Sequence, residues 1–255
     1  MYMKFQLVSN INLNKYKKLP SIEKIIKPCA PNLILAGNIC YCKHDNLVEF
    51  FKKISPKFKH IFYILGKNEY FVENAPNLFS LSEVEYTIRD KLKEFDNVHL
   101  LQNDYIIIGG VVIIGATLWS YISKKDLVGN IMLPDQYFIK HNKQIQINPN
   151  ITNKIHLTHK NWLKDILFTF EEYPKIVITH HLPSFKCLEK KIKFETFSKL
   201  YYSNCDRLIE KADIWCAGYS DVFSKKKIEG VPVYINPFGF LWDKTSYKKE
   251  FTLEL

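Results

Sequence analysis

The chain lacks any stretch suited to crossing a membrane. Its longest apolar run, residues 105–118, is broken by Gly109, Gly110 and Gly115 and falls short of the ~20 consecutive apolar residues that a membrane helix needs. No membrane partner is expected. A cleavable leader is not expected either: the apolar start at residues 1–8 is short, and no small-residue cleavage site follows it. Cysteine is sparse and unpatterned. Cys29, Cys40, Cys42, Cys187, Cys205 and Cys216 stand without any Cys-x-x-Cys spacing, which excludes a disulfide framework or a zinc ribbon and fits an intracellular, reducing compartment, either cytoplasm or a virion. Cys40, Cys42 and His44 hint at zinc, but no second ligand pair follows at the usual spacing, so buried thiols are the favoured reading. Internal repeats and low-complexity linkers are also missing.

What is present describes a chain with a substantial core. Its 255 residues, 47% hydrophobic and 24% charged, are ordinary for a globular protein, and a chain of this size can bury roughly 70–75% of its unfolded surface. Aromatic content is high at 15%. The net charge of +10 comes from 36 Lys and Arg against 26 Asp and Glu, and the excess is almost entirely lysine. Such an excess suits an acidic partner such as nucleic acid. The lysines form no single dominant block, however, which favours simple compositional drift.

Hydrophobic patterning alternates strand and helix. Lys4–Val8 with Ser9, Asn32–Ala36, residues 60–65 and Lys175–Thr179 read as strands, and their continuous apolar runs suit burial on both faces. Further strands are expected at residues 98–101, 105–108, 111–114, 213–217 and 231–236, with Gly109-Gly110 as a two-residue hairpin turn. Helices are expected at residues 45–54 with Asp45 as N-cap, at 80–95 with Ser80 and Glu83 in a capping box, at 161–170, and at 196–211. Residues 124–158 have little periodicity and are expected to form a loop excursion within one domain spanning residues 1–255. The βαβ rhythm followed by hairpins implies an α/β fold with mixed sheets and helices outside.

Polar and glycine-bearing segments stand at the ends of the expected strands, where function gathers in α/β sheets. They are Ser9-Asn10-Ile11-Asn12, Gly37-Asn38, Gly66-Lys67-Asn68-Glu69, Thr179-His180-His181 and Gly218-Tyr219-Ser220-Asp221. Three more segments accompany them: Gly115-Ala116-Thr117-Leu118-Trp119-Ser120, His180-His181-Leu182-Pro183-Ser184 and Asn236-Pro237-Phe238-Gly239-Phe240. In order and spacing the set resembles the calcineurin-like metallophosphoesterases. That family reads Asp-x-His, Gly-Asp, Gly-Asn-His-Glu, a His after a strand, and Gly-His-x-His. The resemblance implies a calcineurin-like four-layer αββα sandwich, two mixed β-sheets flanked by helices. It also implies a site where two divalent metals about 3.5–4 Å apart clamp a phosphate.

At the positions that this resemblance assigns to metal and catalysis, the chain departs from the family. Asn10 stands for the first Asp, Asn12 for the first His, Asn38 for the bridging Asp and Lys67 for the ligand Asn. Asn68 takes the catalytic His position, and Tyr219 and Asp221 replace the two His of the last motif; only His180 remains as a ligand type in place. Two dications need several negative charges around them, and an ammonium at short range repels a dication by several kcal/mol at an effective dielectric near 20. The expectation is therefore a metallophosphoesterase-like pseudoenzyme with no cofactor, acting as a structural or interaction protein with a protein partner. One alternative is a metal-free binder of phosphate or nucleic acid through Lys67, His180 and His181, with Lys186, Lys190, Lys191, Lys193 and Lys225 to Lys227 as a lysine-rich surface or as solvated loops. The other is a weak phosphoesterase holding a single divalent ion (Mn, Fe or Zn) on His180 and Asp221. Lysine, asparagine and isoleucine richness with such altered motifs is compatible with a large DNA virus or a parasite as source.

Overall fold

The computed structural model describes residues 3–71, 80–123, 147–193, 198–241 and 246–255. The described strands are β1 (Lys4–Val8), β2 (Asn32–Ala36), β3 (His60–Ile64), β4 (Val98–Leu100), β5 (Asp104–Ile108), β6 (Val111–Ala116), β7 (Lys175–Thr179), β8 (Ile214–Ala217), β9 (Ser224–Ile228), β10 (Val231–Ile235) and β11 (Thr252–Glu254). They form a five-stranded sheet ordered β11-β1-β2-β3-β4 and a six-stranded sheet ordered β5-β6-β7-β8-β10-β9. Both are mixed. β1 to β4 run parallel with β11 antiparallel at the edge, and β6, β7, β8 and β10 run parallel between antiparallel β5 and β9.

Strand periodicity divides the core into layers. On β2 and β3, Ile34, Ala36, Phe62 and Ile64 face the second sheet, meeting Val111, Ile113, Ile176, Ile178 and Cys216. The alternate residues Leu33, Leu35, Ile61 and Tyr63 face outward onto α1 (Ile22–Ile25), α2 (Asn46–Ile54) and α3 (Leu81–Leu92). The second sheet turns Val112, Ile114, Val177 and Trp215 onto α4 (Pro149–Thr169) and α5 (Asp206–Ile209). With apolar residues needed on both faces, the central strands read as continuous hydrophobic runs. The result is the expected α/β sandwich of two mixed sheets flanked by helices.

Several expectations are met residue for residue, and several need correction. Ser80 accepts from the backbone N–H of Glu83, whose carboxylate accepts from Ser80 in return, completing the capping box. Asp45 makes no side-chain cap; the first turn of α2 is instead tied by the His44 ring, which accepts from Asn46 N at 3.2 Å. The excursion expected over residues 124–158 is only partly testable, since 124–146 lie outside the described residues. Residues 149–158, however, are helical. Asn148 caps Ile151 N, Pro149 starts α4, and the inward positions Thr152, His156 and His159 are polar, which hides the helical period from a hydrophobic scan. The helix expected over 196–211 is not formed as such. Backbone groups there bond to the segment after β7 (Leu182 N to Tyr201 O 3.0 Å, Ser203 N to Leu182 O 2.8 Å, Cys205 N to Pro183 O 2.8 Å), leaving a 3-10 turn at Ser198–Leu200 and the single turn of α5. Lys225 to Lys227, read as a solvated loop, lie on edge strand β9, joined to β10 through Glu229 and Gly230 at φ 47° and 82°. Lysine on an exposed edge discourages strand addition by another chain.

Among the described residues, no helix is long and apolar enough to cross a membrane.

Candidate functional site

The parallel strands of both sheets deliver their carboxyl ends to one rim. β1 leads to Asn10, β2 to Gly37-Asn38, β3 to Gly66-Lys67-Asn68, β7 to His180-His181 and β8 to Gly218-Tyr219. The two sheets are stitched there: Ser9 N donates to Asn236 O at 3.1 Å and Phe238 N to Ser9 O at 2.8 Å. The Asn236 side chain bonds Leu7 O at 2.8 Å, which gives the Asn-Pro-Phe-Gly-Phe segment its structural role.

Left-handed backbone sets the local sequence. Asn10, Asn12 and Asn38 have φ of 52°, 53° and 56°, a region that asparagine tolerates better than most residues with a Cβ. Three glycines let the turns close around His180. A Cβ on Gly218 would lie 1.8 Å from Ala36 O, one on Gly37 2.5 Å from His180 Nδ1, and one on Gly66 2.4 Å from Asn38 Oδ1.

The amides that replace expected ligands bond to one another and to backbone. Asn68 Nδ2 donates to Asn12 Oδ1 (2.8 Å), Asn12 Nδ2 to Asn10 O (2.9 Å) and Asn10 Nδ2 to Ser220 O (2.9 Å). Asn38 Oδ1 accepts the backbone N–H of Asn68 at 2.9 Å. Asn10, Asn12 and Asn38 are all buried.

Beneath them sits Glu69, whose role sequence reasoning missed. Its carboxylate is fully buried and accepts the N–H groups of Asn38 (3.0 Å), Ile39 (2.6 Å) and Gly66 (2.8 Å) together with the Tyr63 hydroxyl (2.9 Å). Burial raises its pKa, partly offset by these donors. Glu69 thus fastens the β2 turn to the β3 turn. The signal available was an acidic residue directly after a Gly-x-Asn turn at the end of a buried strand.

His180 is fully enclosed. Its Nδ1 lies 2.9 Å from Ala36 O, so Nδ1 carries the proton and Nε2 presents a lone pair. Nε2 and Asn10 Oδ1 are buried without a hydrogen-bond partner among the described residues. Burial, reinforced by the charge of Lys67, pushes the imidazole down to about 3. His181 is likewise lowered, chiefly by burial and then by His180; its Nδ1 lies 3.3 Å from Thr117 O. Tyr219 closes the pocket. Its ring stacks on His180 (5.1 Å), meets His181 edge-on (4.9 Å) and carries the Lys67 ammonium 5.1 Å above its centre. Asp221 is exposed on the following turn, where its N–H bonds Glu189 Oε1 at 3.3 Å.

A second device absent from the sequence reading supports this pocket from behind. Leu118 and Trp119 have φ of 66° and 28°, and Trp119 stacks on His181 at 5.4 Å. The strained turn is held by α4: the Leu118 N–H donates to His159 Nδ1 (3.1 Å), and His156 Nδ1 lies 3.0 Å and 2.9 Å from the carbonyls of Leu118 and Trp119.

Two divalent ions do not fit the donors gathered here. The amides carry no charge, the buried carboxylate of Glu69 is taken up by backbone donors, and Lys67 brings a positive charge. Among the described residues no group of three or more His, Cys, Asp or Glu side chains is placed to hold a metal. Cys40 and Cys42 are buried thiols with raised pKa, and the ring of His44 is occupied in the start of α2.

The chain's fold has clear counterparts among solved structures. It superposes on the phosphopantetheinyl hydrolase of Mycobacterium tuberculosis with a TM-score of 0.71, covering 93% of this chain and 90% of that one at 13% identity. The protein TT1561 of Thermus thermophilus matches with a TM-score of 0.58, covering 94% and 91% at 15% identity. The fold is that of the calcineurin-like phosphoesterases, and at such identities the likeness is one of fold. In sequence the chain resembles protein L509 of Acanthamoeba polyphaga mimivirus, 26% identical over 231 residues, which cover 84% of this chain and 80% of that protein. No family model matches the chain.

Proposed function

We propose that this chain is a non-catalytic protein built on the metallophosphoesterase fold and that it acts through binding a protein partner. The observation that carries the reading is the set of uncharged amides at the rim: Asn68 donates to the Asn12 side chain, and Asn12 and Asn10 donate to the backbone carbonyls of Asn10 and Ser220. Side chains that would have to neutralise cations are neutral here, and the amide N–H groups of Asn68, Asn12 and Asn10 are taken up by protein acceptors. General-acid help is missing as well: Asn68 has no proton to give, and His180, held neutral by burial, presents a lone pair.

One observation favours a runner-up. A histidine whose Nδ1–H is fixed by a carbonyl and whose Nε2 is unpartnered resembles an oriented metal ligand. A single Mn, Fe or Zn ion on His180 is that reading; the exposed position of Asp221 weighs against it. Metal-free binding of phosphate or nucleic acid ranks below both. An anion needs donors, and His180 and His181 offer acceptors at neutral pH, leaving Lys67 as the cation of the pocket.

The deciding experiment is hydrolysis of p-nitrophenyl phosphate and cyclic-nucleotide esters with added Mn²⁺. The proposal expects no difference between the native chain and His180→Ala. Turnover that the substitution abolishes would replace it with the single-metal reading.

A further inference from the structure

Away from the strand ends, a groove of about 780 Å³ opens between α4 and α5 and shares no residue with the pocket around His180. Leu167 and Leu208 line it, and Phe168, at the end of α4, is 78% exposed there. A phenylalanine so exposed beside a concave apolar surface has the character of an anchor that a partner covers.

The charges around the groove are unevenly answered. Among its acids, Glu171 meets Lys211 at 3.4 Å and Asp206 meets Lys186 at 3.0 Å, while Asp165 makes no ion pair among the described residues. Among its cations, Lys164 and Arg207 make no ion pair among the described residues, and Lys160 donates to the carbonyl of Asn204 at 2.9 Å. An apolar trough with unanswered cations beside it suits a helix carrying an apolar stripe flanked by carboxylates. A second copy of this chain is the poorer occupant, since each copy carries a net charge of +10.

We propose that the α4–α5 groove docks an acidic amphipathic helix of a partner protein, with Phe168 as the central apolar contact and Lys164 and Arg207 selecting for acidity. The proposal rests on the interaction reading above and gives the partner's chemistry.

The test is fluorescence anisotropy of the full chain with two labelled peptides. Both carry leucine at i, i+3, i+4 and i+7; one has glutamate and the other lysine at the remaining positions. The glutamate peptide is expected to bind saturably and at least about tenfold tighter than the lysine peptide. Phe168→Ala and the double variant Lys164→Glu/Arg207→Glu are each expected to weaken it by about tenfold or more. These side chains lie at the surface, and circular dichroism would verify that the variants fold. Equal binding of the two peptides, no saturation, or an unaffected Phe168→Ala would overturn the proposal. So would sedimentation revealing a dimer that Phe168→Ala dissolves, since the occupant would then be a second copy. Phosphoesterase turnover reads the other pocket, so failure here with no turnover there removes the groove and leaves the non-catalytic reading standing.

Discussion

Asn68 donates its side-chain amide to Oδ1 of Asn12 across 2.8 Å, joining the turn after β3 to the turn after β1. Where the resemblance places a catalytic histidine facing a ligand histidine, two amides hold each other. An amide pair is neutral at every accessible pH, so this link between the turns does not respond to protons.

The turns are held from below by Glu69, and this gives a first prediction. Glu69→Ala leaves three buried backbone N–H groups and the Tyr63 hydroxyl without their acceptor. At ~1–3 kcal/mol for each unsatisfied buried group, the loss is expected to exceed about 3 kcal/mol. Urea denaturation measures it; a loss below about 1 kcal/mol would deny Glu69 this role.

Buried histidines set the acid limb of stability. Unfolded histidine takes up a proton near pH 6.5, whereas His180 and His159 resist protonation until about 3, both because of burial. Between those values the unfolded state binds more protons, so stability falls as pH drops, by up to ~1.4 kcal/mol per pH unit for each such histidine. The raised pKa of Glu69 acts the other way, its contribution fading as pH rises above the normal carboxylate value, but the histidines outnumber it. Urea midpoints are expected to decline below about pH 6.5 and, because burial raises the thiols of Cys40, Cys42, Cys187, Cys205 and Cys216, to decline again above the ordinary thiol pKa of about 8.5; midpoints that rise on acidification from pH 6.5 would contradict this.

Glycine positions separate cleanly by what surrounds them. Gly218→Ala would set a Cβ 1.8 Å from Ala36 O and 2.9 Å from His180 Nδ1, a backbone collision at or beyond the upper end of the ~1–3 kcal/mol cost of overpacking. Gly110→Ala meets nothing within 4 Å and suffers only from its φ of 81°, a cost of about 1 kcal/mol. Thermal melts should rank the two variants in that order by a wide margin.

Lys175 is a buried cation at the end of a long helix. Its ammonium donates to the carbonyls of Phe170, Glu171 and Tyr173 at 3.0, 2.9 and 2.6 Å, closing the C-terminus of α4. Lys175→Met keeps the stem and removes the donors, and is expected to cost about 1–3 kcal/mol. Lost protection of the last turn of α4 in hydrogen exchange would accompany it; unchanged exchange there would refute the capping role.

Much of the architecture was legible because the central strands announce themselves. Asn32–Ala36 and Lys175–Thr179 are buried on both faces and carry no polar interruption, so their bounds could be read from apolar runs alone. Gly109-Gly110 marked its hairpin for the same local reason. Where the sequence misled, buried polar residues or tertiary contacts had taken over. His156 and His159 face inward on α4 to hold the turn at Leu118 and Trp119, so the helix lacked an apolar stripe. Residues 201–205 bond to the segment after β7 and forgo the helix that their composition suggested. Edge strand β9 reads as a lysine run because its side chains face solvent. At the site, each substituted position was visible in the sequence, but the bonds among Asn68, Asn12 and Asn10 were not, because side-chain pairing between separate strand ends depends on the fold that brings them together.

The central claim concerns charge at the rim where the sheets meet, and metal content reads it directly. Inductively coupled plasma mass spectrometry on the full chain, purified without chelator and dialysed against trace Mn²⁺, Fe²⁺ and Zn²⁺, should find well under one metal atom per polypeptide, unchanged by His180→Ala. Two atoms per polypeptide, lost on that substitution, would contradict the account.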